Sequence, residues 1–259
     1  MRNFIKFEKK LPLIIEHFNN IFKVCNGKFN NQCGSYLFNG NEYKYDLKIK
    51  AKQKLLFNTA LKSKNVLEIG VYMGHSILLM LAANPKLKIC CIDINDEFSR
   101  PAIKYLKKKF PTAKIQFIKG NSLDVLPTLK KRFDLFHIDG NHKNSIATKE
   151  FLHCINLRKN NNFKVIFDDV RTCEPLKNNI VKNFTIKILK EADCGSKNCF
   201  INIEIKNDTI KNQIKKFKLD YIKFFILTLP LRFVKIIPVK LIPFKFILPR
   251  KIINFVKYL

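Results

Sequence analysis

The feature that most constrains this chain is a regular alternation, beginning at Asn65, of short apolar runs with longer amphipathic stretches. The runs Asn65–Ile69, Lys88–Asp93, Lys114–Lys119, Phe133–Ile138 and Phe163–Phe167 read as strands. Between them, His75–Ala83, Glu97–Phe110, Ser122–Lys131 and Lys143–Leu157 read as helices. Strands alternating with helices build a doubly wound parallel sheet. A weaker helix near Glu174–Lys182 leads to two more strands, Phe184–Leu189 and Cys199–Ile205, which flank a turn at Gly195. So short a connection predicts an antiparallel hairpin.

Three of these runs end in loops that carry chemistry: VLEIGVYMGHS (Val66 to Ser76), FDLFHIDGNH (Phe133 to His142) and VIFDDV (Val165 to Val170). An open parallel sheet binds its ligands at the carboxyl ends of its strands. The three loops are therefore expected to line one crevice.

Outside the alternating region the chain changes character. Residues 1–46 read as an N-terminal helical appendage with a helix over Leu11–Val24 and an Asn- and Gly-rich loop over Gly27–Asn41. A second amphipathic helix, Leu47–Leu61, opens the main domain, which extends to residue 207. Residues 208–259 form a basic tail. Its last fifty residues hold twelve Lys or Arg against one acid, Asp220, and its prolines at 230, 238, 243 and 249 forbid one continuous helix.

The formal net charge of +29 points to a polyanionic partner, either an anionic membrane surface or nucleic acid. Over-use of Lys, Asn, Ile and Phe, whose codons are rich in A and T, is an equally good source of the charge. The tail's alternation of apolar clusters with Arg232, Lys235, Lys240, Lys245, Arg250 and Lys251 suits an interfacial segment on anionic headgroups. It suits equally a segment packed on its own domain or on a second copy in a homo-oligomer. The eight cysteines include no C-x-x-C pair, and Cys90 and Cys91 should point to opposite faces of one strand. Buried free thiols in a reducing, cytoplasmic setting are expected, with the tail offering peripheral attachment to a membrane. The N-terminus is too interrupted by charge for a signal peptide, and no apolar run reaches the length of a membrane span.

In Glu68-Ile69-Gly70-Val71-Tyr72-Met73-Gly74-His75-Ser76 the glycines fall where a strand turns into a helix. Glycine there permits positive φ and close approach of a ligand. The spacing is neither G-x-G-x-x-G nor a phosphate-cradling loop with Lys-Ser/Thr. Asp93 ends the next strand, where a carboxylate can accept bonds from ribose hydroxyls. Taken alone, the motif also describes an ordinary strand-to-helix turn.

Taken in order, VLEIGVYMGHS, CIDIN and GNSLDVL resemble the S-adenosylmethionine site of class I methyltransferases, over roughly Asn65 to Ile205. The resemblance implies a Rossmann-like, doubly wound, seven-stranded sheet, mostly parallel with an antiparallel last strand. It implies that Glu68, Gly70 and Gly74, with His75 and Ser76, surround the methionine moiety. Asp93 would hold the ribose, and Asn121 and Ser122 would lie near the adenine. His75 is equally suited to the core.

Asp139 ends the fourth strand and His142 follows three residues later; Asp168 and Asp169 end the fifth. Adjacent strands lie about 4.8 Å apart, so carboxylates at both ends can share one hard cation such as Mg²⁺. Such an ion would lower the pKa of a coordinated hydroxyl and aim it at a methyl donor. Histidine titrates near neutrality and suits the role of base. HIDGNH with IFDDV resembles most the metal-dependent macrolide-sugar O-methyltransferases, in which the matching acids bind Mg²⁺ and the matching histidine is the base. The catechol type instead has Lys at the position of His142. His137, inside the strand, reads as a core residue.

The function expected is Mg²⁺-assisted methylation of a hydroxyl on a sugar, glycoconjugate or small molecule. Two alternatives stand beside it. One is a ribose methyltransferase acting on RNA; the other is a membrane-associated module that kept the fold without the chemistry. Ile138-Asp139-Gly140-Asn141 lacks the Pro-Pro-aromatic signature of nucleic-acid amino methylation.

Overall fold

The computed structural model describes residues 7–29, 49–168, 170–188, 199–204 and 212–223. Helices α1 (Phe7–Val24) and α2 (Lys50–Ala60) precede the alternating region. There follow β1 (Asn65–Ile69), α3 (His75–Ala83), β2 (Lys88–Asp93), α4 (Ser99–Lys109) and β3 (Lys114–Lys119). Then come α5 (Ser122–Val125), β4 (Leu135–Ile138), α6 (Asn144–Asn156), β5 (Asn162–Phe167), α7 (Val170–Asn183), β6 (Thr185–Ile188) and β7 (Cys199–Glu204). The helix expected over Ser122–Lys131 is only one turn long. It tightens at once into a 3-10 turn, Leu126–Thr128, where Pro127 stands near its start. Proline has no N–H to carry an α-helical ladder further.

The sheet runs in the order β3-β2-β1-β4-β5-β7-β6. The expected seven-stranded, mostly parallel sheet with an antiparallel last strand needs correction at one edge. The all-parallel unit with flanking helices stops at five strands, β3-β2-β1-β4-β5. Beyond β5 the pairing changes: β7 runs antiparallel to β5, and β6 pairs only with β7, also antiparallel. The hairpin takes up the open edge of β5, so β6 has no parallel neighbour and the last strand in sequence is not the outermost.

Period-two alternation divides the side chains between two cores. Val66, Ile89 and Cys91 face the layer of α1, α2, α3 and α4. Leu67, Cys90 and Ile92 face the layer of α6 and α7. Cys90 and Cys91 thus point to opposite faces, and with Cys25 and Cys154 they are buried free thiols. Cys194 lies outside the described residues.

The α3 sequence, HSILLMLAA, is buried at all nine positions. A helix apolar all round needs cover on the side away from the sheet. That cover comes from α2 and α1, and the α1 face Phe7, Ile14, Phe18 and Ile21 is buried within the same core. The first part of the basic tail is also packed. Residues 212–223 form a helix, and its Phe217 is fully buried against Phe151 and Phe184, with ring centroids 5.6 and 5.7 Å away. Residues 224–259, which carry the proposed interfacial segment, lie outside the described residues.

Candidate active site

The parallel register brings the carboxyl ends of β1, β2, β4 and β5 to one edge. At the end of β1 the chain turns through Gly70, whose φ is +86°. A Cβ there would sit 2.0 Å from the Asp139 carbonyl oxygen. Gly70 N–H donates to Ile92 O at 2.9 Å, and Asp139 N–H donates to Ile69 O at 2.8 Å. The first and second loops are thus locked together through backbone.

Asp93 organises the rest of the turn. Its Oδ2 accepts from the N–H groups of Val71 and Tyr72 at 2.8 and 2.9 Å, and its Oδ1 from Asn95 at 2.9 Å. These bonds hold Tyr72 at φ +50°, a conformation few side chains adopt. A carboxylate offers about four lone-pair sites, so Asp93 retains acceptor capacity for hydroxyls. Gly74, at φ +68°, caps α3.

Glu68 is fully buried. Its Oε1 accepts from the Ser76 hydroxyl and meets His137 Nδ1 at 3.2 Å. Oε2 is buried and has no hydrogen-bond partner among the described residues. An orphaned buried carboxylate oxygen carries the full cost of its lost hydration, and a positively charged donor on a bound ligand would relieve it. His75 is placed elsewhere. Its ring meets Phe18 of α1 edge-on at 4.9 Å and Tyr72 at 6.2 Å. Burial pulls its pKa down to about 3, so the ring is neutral. Asn121 caps α5 by accepting from Leu123 N–H at 3.1 Å. Ser122 donates to Glu150 Oε1 at 2.5 Å. Burial raises the Glu150 carboxyl to about 7 against the lowering pull of Ser122, and its Oε2 is a second buried oxygen without a partner among the described residues.

At the ends of β4 and β5, pairing of Ile138 with Phe167 sets Asp139 beside Asp168. Their carboxyl groups hydrogen-bond to each other. Burial, reinforced by the Asp168 charge, pushes Asp139 well above the usual carboxylate range. Burial works against ionisation of Asp168 too, but the Lys52 ammonium outweighs it and holds that group below its ordinary value. Lys52 Nζ lies 2.7 Å from Oδ1 and 2.8 Å from Oδ2, and the residue is 5% exposed. His142 is half-buried on the loop that Asn141 shapes by accepting from Lys143 N–H at 2.9 Å. Asp169 lies outside the described residues.

Sequence reasoning missed Lys52 and Glu150, although each left a signal. Lys52 stands four residues before Leu56 on the apolar face of α2, and Glu150 stands between Ala147 and Cys154 on that of α6. A charged residue on a buried stripe is the informative exception to apolar burial. A separate cavity of about 190 Å³ between α6, α7 and the 212–223 helix includes none of these site residues.

The residues fit S-adenosylmethionine: an ammonium acceptor at Glu68 Oε2, a close backbone approach at Gly70 and a hydroxyl acceptor at Asp93. The described residues do not fit a divalent ion. No group of three His, Cys, Asp or Glu converges among them, and the positive charge at the carboxylate pair comes from Lys52.

Residues 67–170 match the family model described as "Methyltransferase domain". O-methyltransferase hkm8 of Aspergillus hancockii is 31% identical over 98 residues, 37% of this chain and 39% of that protein. Caffeoyl-CoA O-methyltransferase 5 of Nicotiana tabacum is 36% identical over 93 residues, 33% of this chain and 39% of that protein. The matched segment thus spans about two fifths of the length of these curated relatives. Among solved structures, the O-methyltransferase of Bacillus cereus in complex with SAH superimposes with a TM-score of 0.53 at 14% identity, over 74% of this chain and 91% of that one. TomG of Streptomyces achromogenes, in complex with SAM, gives 0.53 at 16% identity, over 74% and 90%. None of these similarities links the chain specifically to macrolide-sugar enzymes. With the strand-end site, they show that this chain has the class I S-adenosylmethionine-dependent methyltransferase fold.

Proposed function

We propose that the protein transfers the methyl group of S-adenosylmethionine to a hydroxyl oxygen of a small molecule. The observation that carries this reading is Glu68 Oε2 near the end of β1, buried and without a hydrogen-bond partner among the described residues, with Asp139 and Asp168 just past the ends of β4 and β5. Glu68 would hold the methionine ammonium, Asp93 the ribose hydroxyls, and Ser122 and Glu150 would lie at the adenine end. S-adenosylmethionine supplies an electrophilic methyl on a sulfonium. The acceptor oxygen would attack the methyl carbon, the carbon–sulfur bond would break, and the electron pair would leave on sulfur. The hydroxyl proton would pass to the His142 imidazole. Positioning supplies much of the rate in such an in-line displacement.

The names of the curated relatives support oxygen as the atom methylated. The Asp139-Gly140-Asn141-His142 segment favours a sugar or glycoconjugate hydroxyl, because its histidine stands where the catechol type has lysine. Magnesium is not carried into the step, since Lys52 already balances the carboxylate pair.

Calorimetry with S-adenosylhomocysteine tests the cofactor half. Glu68→Gln should weaken binding at least about tenfold, the loss expected for a charge-assisted bond. A labelled methyl donor offered with sugar and catechol acceptors tests the other half. Failure of the wild-type chain to bind S-adenosylhomocysteine would refute the proposal outright.

A further inference from the structure

The carboxylate pair at the ends of β4 and β5 is the usual kind of place to seek a divalent ion, yet the chain has brought its own cation there. Lys52 reaches Asp168 from α2, 116 residues earlier in sequence, and straddles both carboxylate oxygens at 2.7 and 2.8 Å. It is not a surface lysine that found a partner. The residue is 5% exposed, and its helix is anchored after it by buried Gln53, Leu56, Phe57 and Ala60. The ammonium cannot swing into water without drawing its buried stem out of the core. A divalent ion on Asp168 would sit about 2.1 Å from a carboxylate oxygen, within a few ångströms of that ammonium, and two cations so close repel.

We infer that Lys52 is the resident cation of this site: it holds the Asp139–Asp168 pair in place of a divalent ion, and the site works without one. Lys52 is a positioning residue here, fixing Asp168 and through it Asp139. The inference rests on the site assignment made above, but its test does not depend on methyl transfer.

Free Mn²⁺ can be followed by electron paramagnetic resonance while the full chain is titrated in. The wild type and Lys52→Arg should leave the free-ion signal unchanged. Lys52→Met should take up one Mn²⁺ per chain at least about tenfold more tightly than the wild type, because the competing charge is gone. Adding Asp168→Asn to that variant should abolish the uptake. Lys52→Gln serves as a second variant, with melting curves to show that each folds. Stoichiometric Mn²⁺ binding by the wild type that Asp168→Asn removes would overturn the inference. So would folded Lys52→Met and Lys52→Gln chains that bind no more Mn²⁺ than the wild type. If neither variant folds, the wild-type titration alone decides between the two. Loss of methyl transfer with a silent wild-type Mn²⁺ titration would count against the function proposed above and leave this inference standing.

Discussion

Replacing Gly70 by alanine should be among the most damaging single-methyl additions in the protein. Two costs combine. At φ +86° a residue with a Cβ pays about 1–2 kcal/mol for the left-handed backbone. The new Cβ would also lie 2.0 Å from Asp139 O and 2.5 Å from Asp139 C, both backbone atoms that cannot rotate away. Reaching even a tight 3.0 Å contact means parting the ends of β1 and β4 by about 1 Å. The bonds Asp139 N–Ile69 O, at 2.8 Å, and Gly70 N–Ile92 O, at 2.9 Å, would stretch; each contributes about 1 kcal/mol. The sum is about 3–5 kcal/mol, at the upper end for a point substitution. Urea denaturation would read the stability, and calorimetry with S-adenosylhomocysteine would read the loop. Two other glycines calibrate the result. Gly74→Ala meets the movable Leu106 Cδ1 at 3.2 Å with φ +68°, and should cost about 1–2 kcal/mol. Gly140→Ala meets Ile69 Cγ2 at 3.1 Å without a positive φ, and should cost less than about 1 kcal/mol. If Gly70→Ala is no more destabilising than Gly140→Ala, the backbone lock between the two loops is not what shapes this site.

Two further outcomes are expected. His75 is buried neutral with a pKa of about 3, so the unfolded chain takes up a proton there below pH 6.5 while the folded one does not. Its contribution is fully present above about pH 6.5 and drains away toward pH 3 at about 1.4 kcal/mol per pH unit. His75→Phe should therefore reduce the acid slope of stability between pH 6.5 and 5 by that amount relative to wild type; equal slopes in the two chains would show that the ring is accessible to protons. Phe217→Ala should cost about 3–5 kcal/mol and lower the melting temperature, because the ring is fully buried among Phe151 and Phe184; an unchanged melt would mean that the 212–223 helix is not part of the folded unit.

Much of the fold could be read from local pattern. The strand Lys88–Asp93 and the helix His75–Ala83 are legible because apolar runs, short in the one and longer in the other, are local properties of the chain. The turn after β1 was legible for the same reason: Glu68, Gly70 and Ser76 lie within nine residues, and the turn that joins them sets their geometry. Asp93 was found, but part of its work was not. That it accepts from Val71 and Tyr72 is a contact across 22 and 21 residues. From the sequence His75 suited the cofactor loop and the core equally. Only the packing of α1 shows that its ring belongs to the core. The edge of the sheet was misjudged because a hairpin is a local signal, whereas the strand it pairs with is chosen by which edge is open.

The carboxylate side departs furthest from a local reading, and the reason is electrostatic. Asp139 and Asp168 are separated by 29 residues, and their counter-charge lies 116 residues before Asp168, on a helix that precedes the whole sheet. Two buried carboxylates demand a cation or a proton, and sequence spacing alone suggests a metal. The structure answers with both of the other solutions at once: a lysine for Asp168 and a raised affinity for protons at Asp139. That answer depends on α2 being held at a fixed distance from β5, and α2 is held by its packing on α3 within the core that α1 helps to close. The N-terminal helices are therefore part of the electrostatics of this acidic pair, because the charge that balances Asp168 is mounted on one of them.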